Sequence, residues 1–333
     1  MQRIGFIIIP KFQMMSLAAA SVFEFANTIG GETRYEISIM SEGGGVVGSS
    51  LGMMMQTAAL QAEGFDTLIV GAGIGPPESA PGLVQFLKMA AALTRRLAAI
   101  CNGTFLLAEA GLLDGRRATT HWKNARVLQA RFPRIKVEED RIFIVDGSIW
   151  TSAGATAGID LALAMVEKDH GIEVARLVAK SLVLYHRRAG GQTQHSALLE
   201  IAPKSDRVQN ALAFASQNLG TDLSVELLAD AAHLSPRQFS RTFHAETGRS
   251  PAKAVEQLRV EAARLMTEQS RLSMDEIARE TGFADPDRMR RAFLRAFGQP
   301  PQALRRNARS EPADIFSSSP AIEASRMLLA DPF

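Results

Sequence analysis

Apolar positions in the first half of the chain fall in short blocks separated by longer helical stretches. Residues 3–9 form an apolar run of strand length, residues 35–40 alternate, and residues 67–70 and 97–100 are continuous apolar runs bounded by turn residues. Such runs are the pattern of strands buried on both faces. Between them, residues 16–28 and 81–94 repeat apolar side chains at helical spacing, and this alternation predicts a doubly wound α/β domain with a mostly parallel sheet. Glycines cluster at 43–45, 71–75 and 111–115 as turn markers, and Asp146-Gly147 predicts a late hairpin over 141–151. After Ile159 the pattern is helical, with one helix through Val166 and another over 173–188. Residues 190–205 lose apolar periodicity and read as a linker. The predicted layout is a first domain over 1–189, an all-α domain over 206–309 and a loose tail over 310–333, where Ser317-Ser318-Ser319-Pro320 breaks any regular pattern.

The all-α part contains a repeat. Leu228-Ala229 precedes Ser235-Pro236-Arg237-Gln238-Phe239-Ser240-Arg241-Thr242-Phe243, and Ile277-Ala278 precedes Asp285-Pro286-Asp287-Arg288-Met289-Arg290-Arg291-Ala292-Phe293. The second parts superimpose at an offset of 50 and the first parts at 49, so the second turn is one residue longer. Each unit predicts helix, turn, helix. Ser235-Pro236 and Asp285-Pro286 are caps followed by proline at the first helical position, Ser273 and Glu276 have capping-box spacing, and Gly248 and Gly298 stop the second helices. Phe239 and Phe243, like Met289 and Phe293, lie four apart on one face, which leaves the arginines mainly on the other. That division suits a recognition helix, whose inner side is scaffold and whose outer side meets base edges and phosphates. A long helix over 251–267 joins the two units.

Composition narrows the classes. The chain has 333 residues, 46% hydrophobic and 22% charged, which excludes a fibrous or wholly disordered protein. Its single cysteine excludes a disulfide framework and suits a reducing compartment. The N-terminal apolar run is broken at once by Pro10 and Lys11, and no run reaches the length of a membrane span, so the expected location is the cytoplasm, without a membrane partner. Net charge is only +2, but residues 286–309 hold seven arginines against one acid, Asp287, a local density suited to a polyanion.

The cysteine sits at a telling place. A strand over 97–100 runs straight into Cys101-Asn102-Gly103-Thr104, after which a helix begins, an elbow that presents a nucleophilic atom beside helix amides. Such a setting favours a thiolate. His121 follows in Thr119-Thr120-His121-Trp122 and meets the cysteine only through the fold. Gly71 to Gly75 lacks the spacing of a nucleotide loop and is broken by Pro76-Pro77, so no cofactor is expected.

The helical repeat closely resembles the AraC-type DNA-binding domain over about 100 residues, with residues 282–285 and 297–301 similar to that family's signature. The resemblance implies base-reading positions at Arg237, Gln238, Ser240 and Arg241 in the first unit and at Asp287, Arg288, Arg290 and Arg291 in the second, with Arg295, Arg305 and Arg306 on phosphates. Residues 3–185 resemble the PfpI-like branch of the class I glutamine amidotransferase-like superfamily, on Ile100-Cys101-Asn102-Gly103 and the segment 112–122. That implies a flavodoxin-like fold with Cys101 at the elbow, His121 nearby and the Gly71-Ala72-Gly73 turn beside the pocket. Enzymes of the superfamily set an acid against the cysteine, but here Ser21 takes that position and Glu24 falls on another face. The two halves together resemble the GlxA-type branch of AraC regulators. This implies a transcription factor, commonly an activator, that binds double-stranded promoter DNA, works with RNA polymerase as a homodimer, and senses a small-molecule effector in a pocket lined by Cys101, Asn102, His121, Ser21 and Gly73. The first domain is expected to be non-catalytic; the alternatives are an active cysteine hydrolase or amidase, and a redox switch at Cys101.

Overall fold

The computed structural model describes residues 1–184, 190, 194, 201 and 203–310. The chain divides into two compact units, Met1–Ser196 and Ala197–Phe333. The expected tail over 310–333 lies, beyond Ser310, outside the described residues.

The first unit is built on one sheet. Its strands are β1 (Gln2–Ile7), β2 (Tyr35–Ser41), β3 (Gly45–Gly48), β4 (Met54–Ala59), β5 (Thr67–Val70), β6 (Arg96–Ile100), β9 (Phe143–Asp146) and β10 (Ile149–Ser152), in the order β3-β4-β2-β1-β5-β6-β10-β9. A short parallel pair, β7 (Arg117–Ala118) and β8 (Lys136–Val137), stands apart. The six central strands are parallel and the two edge strands antiparallel. This is the doubly wound, flavodoxin-like α/β fold expected from the alternation of elements, and β5 and β6 are buried along their whole length. On one face α1 (Ala18–Ala26), α5 (Thr156–His170) and α6 (Ile172–Ser181) pack around Phe6, Phe23 and Trp150. On the other, α2 (Pro81–Leu93), α3 (Gly103–Glu109) and α4 (Trp122–Arg131) pack around Leu68, Leu87, Phe105 and Leu128.

One expectation is corrected and one element comes in addition. The helix anticipated over 173–188 ends at Ser181, because Val183 takes a left-handed conformation (φ 56°) and the Leu184 amide donates back to the Ala179 carbonyl. That closure satisfies the last carbonyls and cannot continue as helix. The β3–β4 hairpin was not legible in the pattern: its strands are Gly- and Met-rich, with little of the β-branched alternation that marks a strand. The hairpin expected at Asp146-Gly147 is present, with Gly147 at φ 62° and Asp146 paired to Ile149.

The second unit is entirely helical in its described residues: α7 (Asp206–Gln217), α8 (Val225–Ala231), α9 (Pro236–Thr247), α10 (Pro251–Gln269), α11 (Met274–Glu280), α12 (Pro286–Phe297) and α13 (Pro301–Ser310). It has two cores, one around Phe239 and Phe243 and one around Met289 and Phe293, so each half of the repeat has its own apolar centre. No helix of the described residues is long and apolar enough to cross a membrane.

Candidate functional site: the cysteine elbow

Cys101 occupies the turn between β6 and α3 with φ 58°, an uncommon conformation for a residue other than glycine. Three hydrogen bonds hold its backbone: its amide donates to the Ser152 carbonyl (3.0 Å), while its carbonyl accepts from the Thr120 hydroxyl (2.8 Å) and the Thr104 amide (3.3 Å). Two glycines make room for the turn. A Cβ on Gly103 would overlap the Val70 carbonyl oxygen, and one on Gly154, which has φ 89°, would overlap Cys101 Cβ and lie 2.7 Å from Sγ. Gly103→Ala is therefore expected to force α3 off β5 and to cost about 1–3 kcal/mol. Thermal unfolding of the full chain checks this, and an unchanged Tm contradicts the close approach.

Asn102 is fully buried. Its Nδ2 donates to the carbonyls of Gly73 (3.1 Å) and Ile74 (3.0 Å), and its Oδ1 accepts from Asn124 Nδ2 (2.8 Å). The side chain thus holds the Gly73 loop and α4 to the elbow and is largely spent on that work. Gly73 itself is kept side-chain-free by the Lys11 carbonyl oxygen, 3.0 Å from where a Cβ would sit. The serine whose hydroxyl reaches this turn is Ser16, buried and donating to the Ala72 carbonyl (3.3 Å). Ser21 lies half-buried further along α1, and Glu24 is exposed.

His121 caps α4, its Nδ1 accepting from the Lys123 amide at 3.3 Å, a role that assigns the ring proton to Nε2. The ring stacks on Trp122 (5.7 Å between centroids, 26°). What ties this segment to the cysteine is the neighbouring Thr120 hydroxyl on the Cys101 carbonyl. The thiol does not have the lowered pKa that an elbow suggests. Cys101 is 4% exposed, and burial, only partly offset by the Asn102 backbone amide, pushes it up from 9.0 to about 11. Desolvation outweighs the helix amides because α3 is short and the sulfur lies under the Gly154 backbone.

Candidate functional site: the paired recognition helices

Both units of the repeat start their second helix as the sequence anticipates. Ser235 accepts from the Gln238 amide and Asp285 from the Arg288 amide (2.6 Å), and Ser273 with Glu276 forms a full capping box. Gly248 (φ 69°) and Gly298 (φ 68°) end these helices in the left-handed region. The turns match more deeply than the residue types suggest. His233 (φ 52°) and Gly282 (φ 73°) occupy the same left-handed place, each followed by an amide that bonds back to Ala229 or Ala278. Ala284 then supplies the extra residue of the second turn.

Phe239, Phe243, Met289 and Phe293 are buried. Arg237, Arg241, Asp287, Arg288, Arg290 and Arg291 are exposed and Ser240 is half-buried. Among the described residues no carboxylate pairs with Arg237, Arg241, Arg290 or Arg291, so four guanidinium groups stand free on two helix faces. Other positions are partly committed within the fold. The Gln238 side-chain oxygen accepts from the Ser235 amide and hydroxyl. Arg295 donates to Glu256 (2.8 Å); burial tends to raise that carboxyl, but Lys253 and Arg295 outweigh it and hold it below its ordinary value. Arg305, expected on phosphate, donates to the carbonyls of Thr267 (3.2 Å) and Leu272 (2.7 Å), and so serves the end of α10.

These two sites, an α/β unit with a cysteine elbow and a helical unit with paired arginine-bearing helices, define a fusion of two known modules. Residues 3–168 match the model of the DJ-1/PfpI family and residues 228–307 match that of a helix-turn-helix domain. The chain is 34% identical to the HTH-type transcriptional regulator GlxA of Rhizobium meliloti over 325 residues, covering 93% of this chain and 97% of that one. It is 31% identical to the regulator GbdR of Pseudomonas aeruginosa, covering 90% and 83%. Its first part is 31% identical over 184 residues to the isonitrile hydratase of Pseudomonas putida, covering 54% of this chain and 77% of the enzyme. A solved AraC family transcriptional regulator from Pseudomonas putida superimposes with a TM-score of 0.51 at 27% identity, covering 55% of this chain and all of that one. The chain belongs to the family of HTH-type transcriptional regulators that join a DJ-1/PfpI unit to an AraC-type helix-turn-helix domain.

Proposed function

We propose that the protein regulates transcription by binding specific double-stranded promoter DNA through α9 and α12, and that a small metabolite in the DJ-1/PfpI unit controls this binding. The observation that carries the reading is the pair of capped helices, each buried through its apolar face and each holding outward arginines that pair with no carboxylate among the described residues. Arg237, Arg241, Arg288, Arg290 and Arg291 meet the DNA, with Gln238, Ser240 and Asp287 at the margins of the same faces and Arg295 beside them. The effector binds near Cys101, His121 and Gly73, where Asn102 shapes the wall and Ser16 stands in place of Ser21. The neutral thiol supports a sensing role over hydrolysis. An effector acts only if it binds two states of the protein with different affinity. The protein works in the cytoplasm as a homodimeric activator alongside RNA polymerase.

Selection of genomic fragments by the purified full-length protein at near-physiological salt tests the reading. The expected result is enrichment of a few sites containing paired half-sites. Retention of fragments without sequence preference overturns it.

A further inference from the structure

The two helix-turn-helix units have separate cores that meet on one helix: Ala254, Val255 and Leu258 of α10 belong to the first core, Val260 and Ala263 to the second. Arg259 stands at the changeover, half-buried. Its Nε donates to the Leu219 carbonyl (3.2 Å) and its Nη2 to the Thr221 carbonyl (2.6 Å), both in the loop between α7 and α8. The same loop meets the turn between α11 and α12 backbone to backbone. A Cβ on Gly220 would lie 3.0 Å from the Glu280 carbonyl oxygen, and one on Gly282 (φ 73°) would overlap the Leu219 carbonyl oxygen and lie 2.7 Å from Arg259 Nη2. The guanidinium is thus held between a loop of the first unit and the turn of the second, directly over a glycine. Asp222 of the loop faces it with opposite charge and Arg288, in the first turn of α12, with like charge. A cleft of about 540 Å³ borders this junction, with Asp222, Arg259, Asp285 and Arg288 in its wall, so the junction reaches the capped start of the second recognition helix.

We propose that Arg259, with Gly220 and Gly282, clasps the first helix-turn-helix unit to the second and fixes the offset between α9 and α12, so that this clasp sets the spacing of the two DNA segments that one chain accepts. The DNA consequence rests on the regulator reading above. A long helix bends along its length, and a second tie away from its axis removes that freedom. The two carbonyl bonds of Arg259 and the glycine contacts supply such a tie. Inserting one base pair between the segments moves the second by about 3.4 Å along the axis and about a tenth of a turn around it. A fixed pair of helices does not follow that displacement. A loosened pair follows it, but binds the native spacing less tightly, because its freedom is given up on binding. Arg259 acts through the placement of α9 and α12 and is a positioning residue, not a base-reading one.

The test uses the full chain with Arg259→Met, which keeps an apolar stem and removes both donors, and with Gly220→Ala, which crowds the Glu280 carbonyl and leaves the arginine in place. Spin labels at Ala245→Cys and Ala296→Cys, both exposed, on α9 and α12, report the distance between the two helices in a Cys101→Ala background diluted with unlabelled chain. The distance distribution is expected to broaden about twofold in each variant, while the amides of α9 and α12 keep their protection from hydrogen exchange and report intact cores. On fragments selected by the wild-type protein, one base pair inserted between the segments that α9 and α12 protect is expected to cost the wild type about tenfold in affinity and each variant less than about threefold. An unchanged distribution overturns the clasp. Loss of protection in α9 and α12 in both variants also overturns it, since the residues then serve the fold and not the offset. Broader distributions with the same insertion penalty overturn the link to DNA. If the wild-type protein selects no fragments, the regulator reading fails, while the label distances still decide the clasp.

Discussion

Replacing Arg241 and Arg291 together by alanine lowers affinity for a selected promoter fragment by a factor of about 30 to 2 × 10⁴. Each arginine stands at the matching position of its helix, exposed and free of any carboxylate among the described residues. A bidentate arginine–guanine pair is worth roughly 1–3 kcal/mol of discrimination, so two give about 2–6 kcal/mol. They lie on different helices with separate cores, which makes the two losses close to additive. Because the aromatic faces that hold the helices are untouched, the variant keeps its Tm. Titration of cognate and random duplexes over a range of salt concentrations separates the roles. Base contacts lose far more on cognate than on random DNA. Equal losses on both, with the salt slope reduced by about 0.9 for each residue, make them phosphate contacts.

The second large effect concerns Cys101. At pH 8 the native thiol is expected to react with iodoacetamide about 100-fold more slowly than in the unfolded chain, since its pKa stands about two units above the ordinary 9.0. The rate should rise tenfold per pH unit and level off only near pH 11. The sign for stability follows from the same displacement. A raised pKa means that the folded state holds the proton more tightly, so this contribution is complete below pH 9 and is lost as pH climbs toward 11. Cys101→Ala, which has no such proton, should flatten this part of the profile. A native rate equal to or above the unfolded one, with a midpoint below pH 8, would mean an activated nucleophile and bring back the hydrolase reading.

Gly154 and Gln194 show what no local pattern contains. Nothing in Ser152-Ala153-Gly154 announces that its third residue must leave room for a sulfur more than fifty positions earlier. Gln194 reads as one more polar residue in a linker, because its side chain bonds mainly to the distant backbones of Thr120, Trp122, Glu139 and Arg141. Asn124 and Ser16 were missed for the same reason: each meets the elbow from a separate element. Signals legible in one sequence are local, such as caps, turns and periodicity, and single long-range bonds leave none.

Elements with local causes were legible in the residues alone: the strand-to-helix elbow at Cys101, the caps at Ser235, Ser273 and Asp285, the glycine stops at 248 and 298, and the division of each recognition helix into apolar and arginine faces. Propensity, capping and periodicity act within a few residues, so they are written in neighbouring letters. Folding brings in the rest: the burial that keeps the thiol protonated, the engagement of Asn102, Gln238 and Arg305 within the fold, and the docking of Gln194 on the first unit. Desolvation and hydrogen-bond satisfaction depend on which distant atoms surround a group, and those neighbours exist only once the chain has folded.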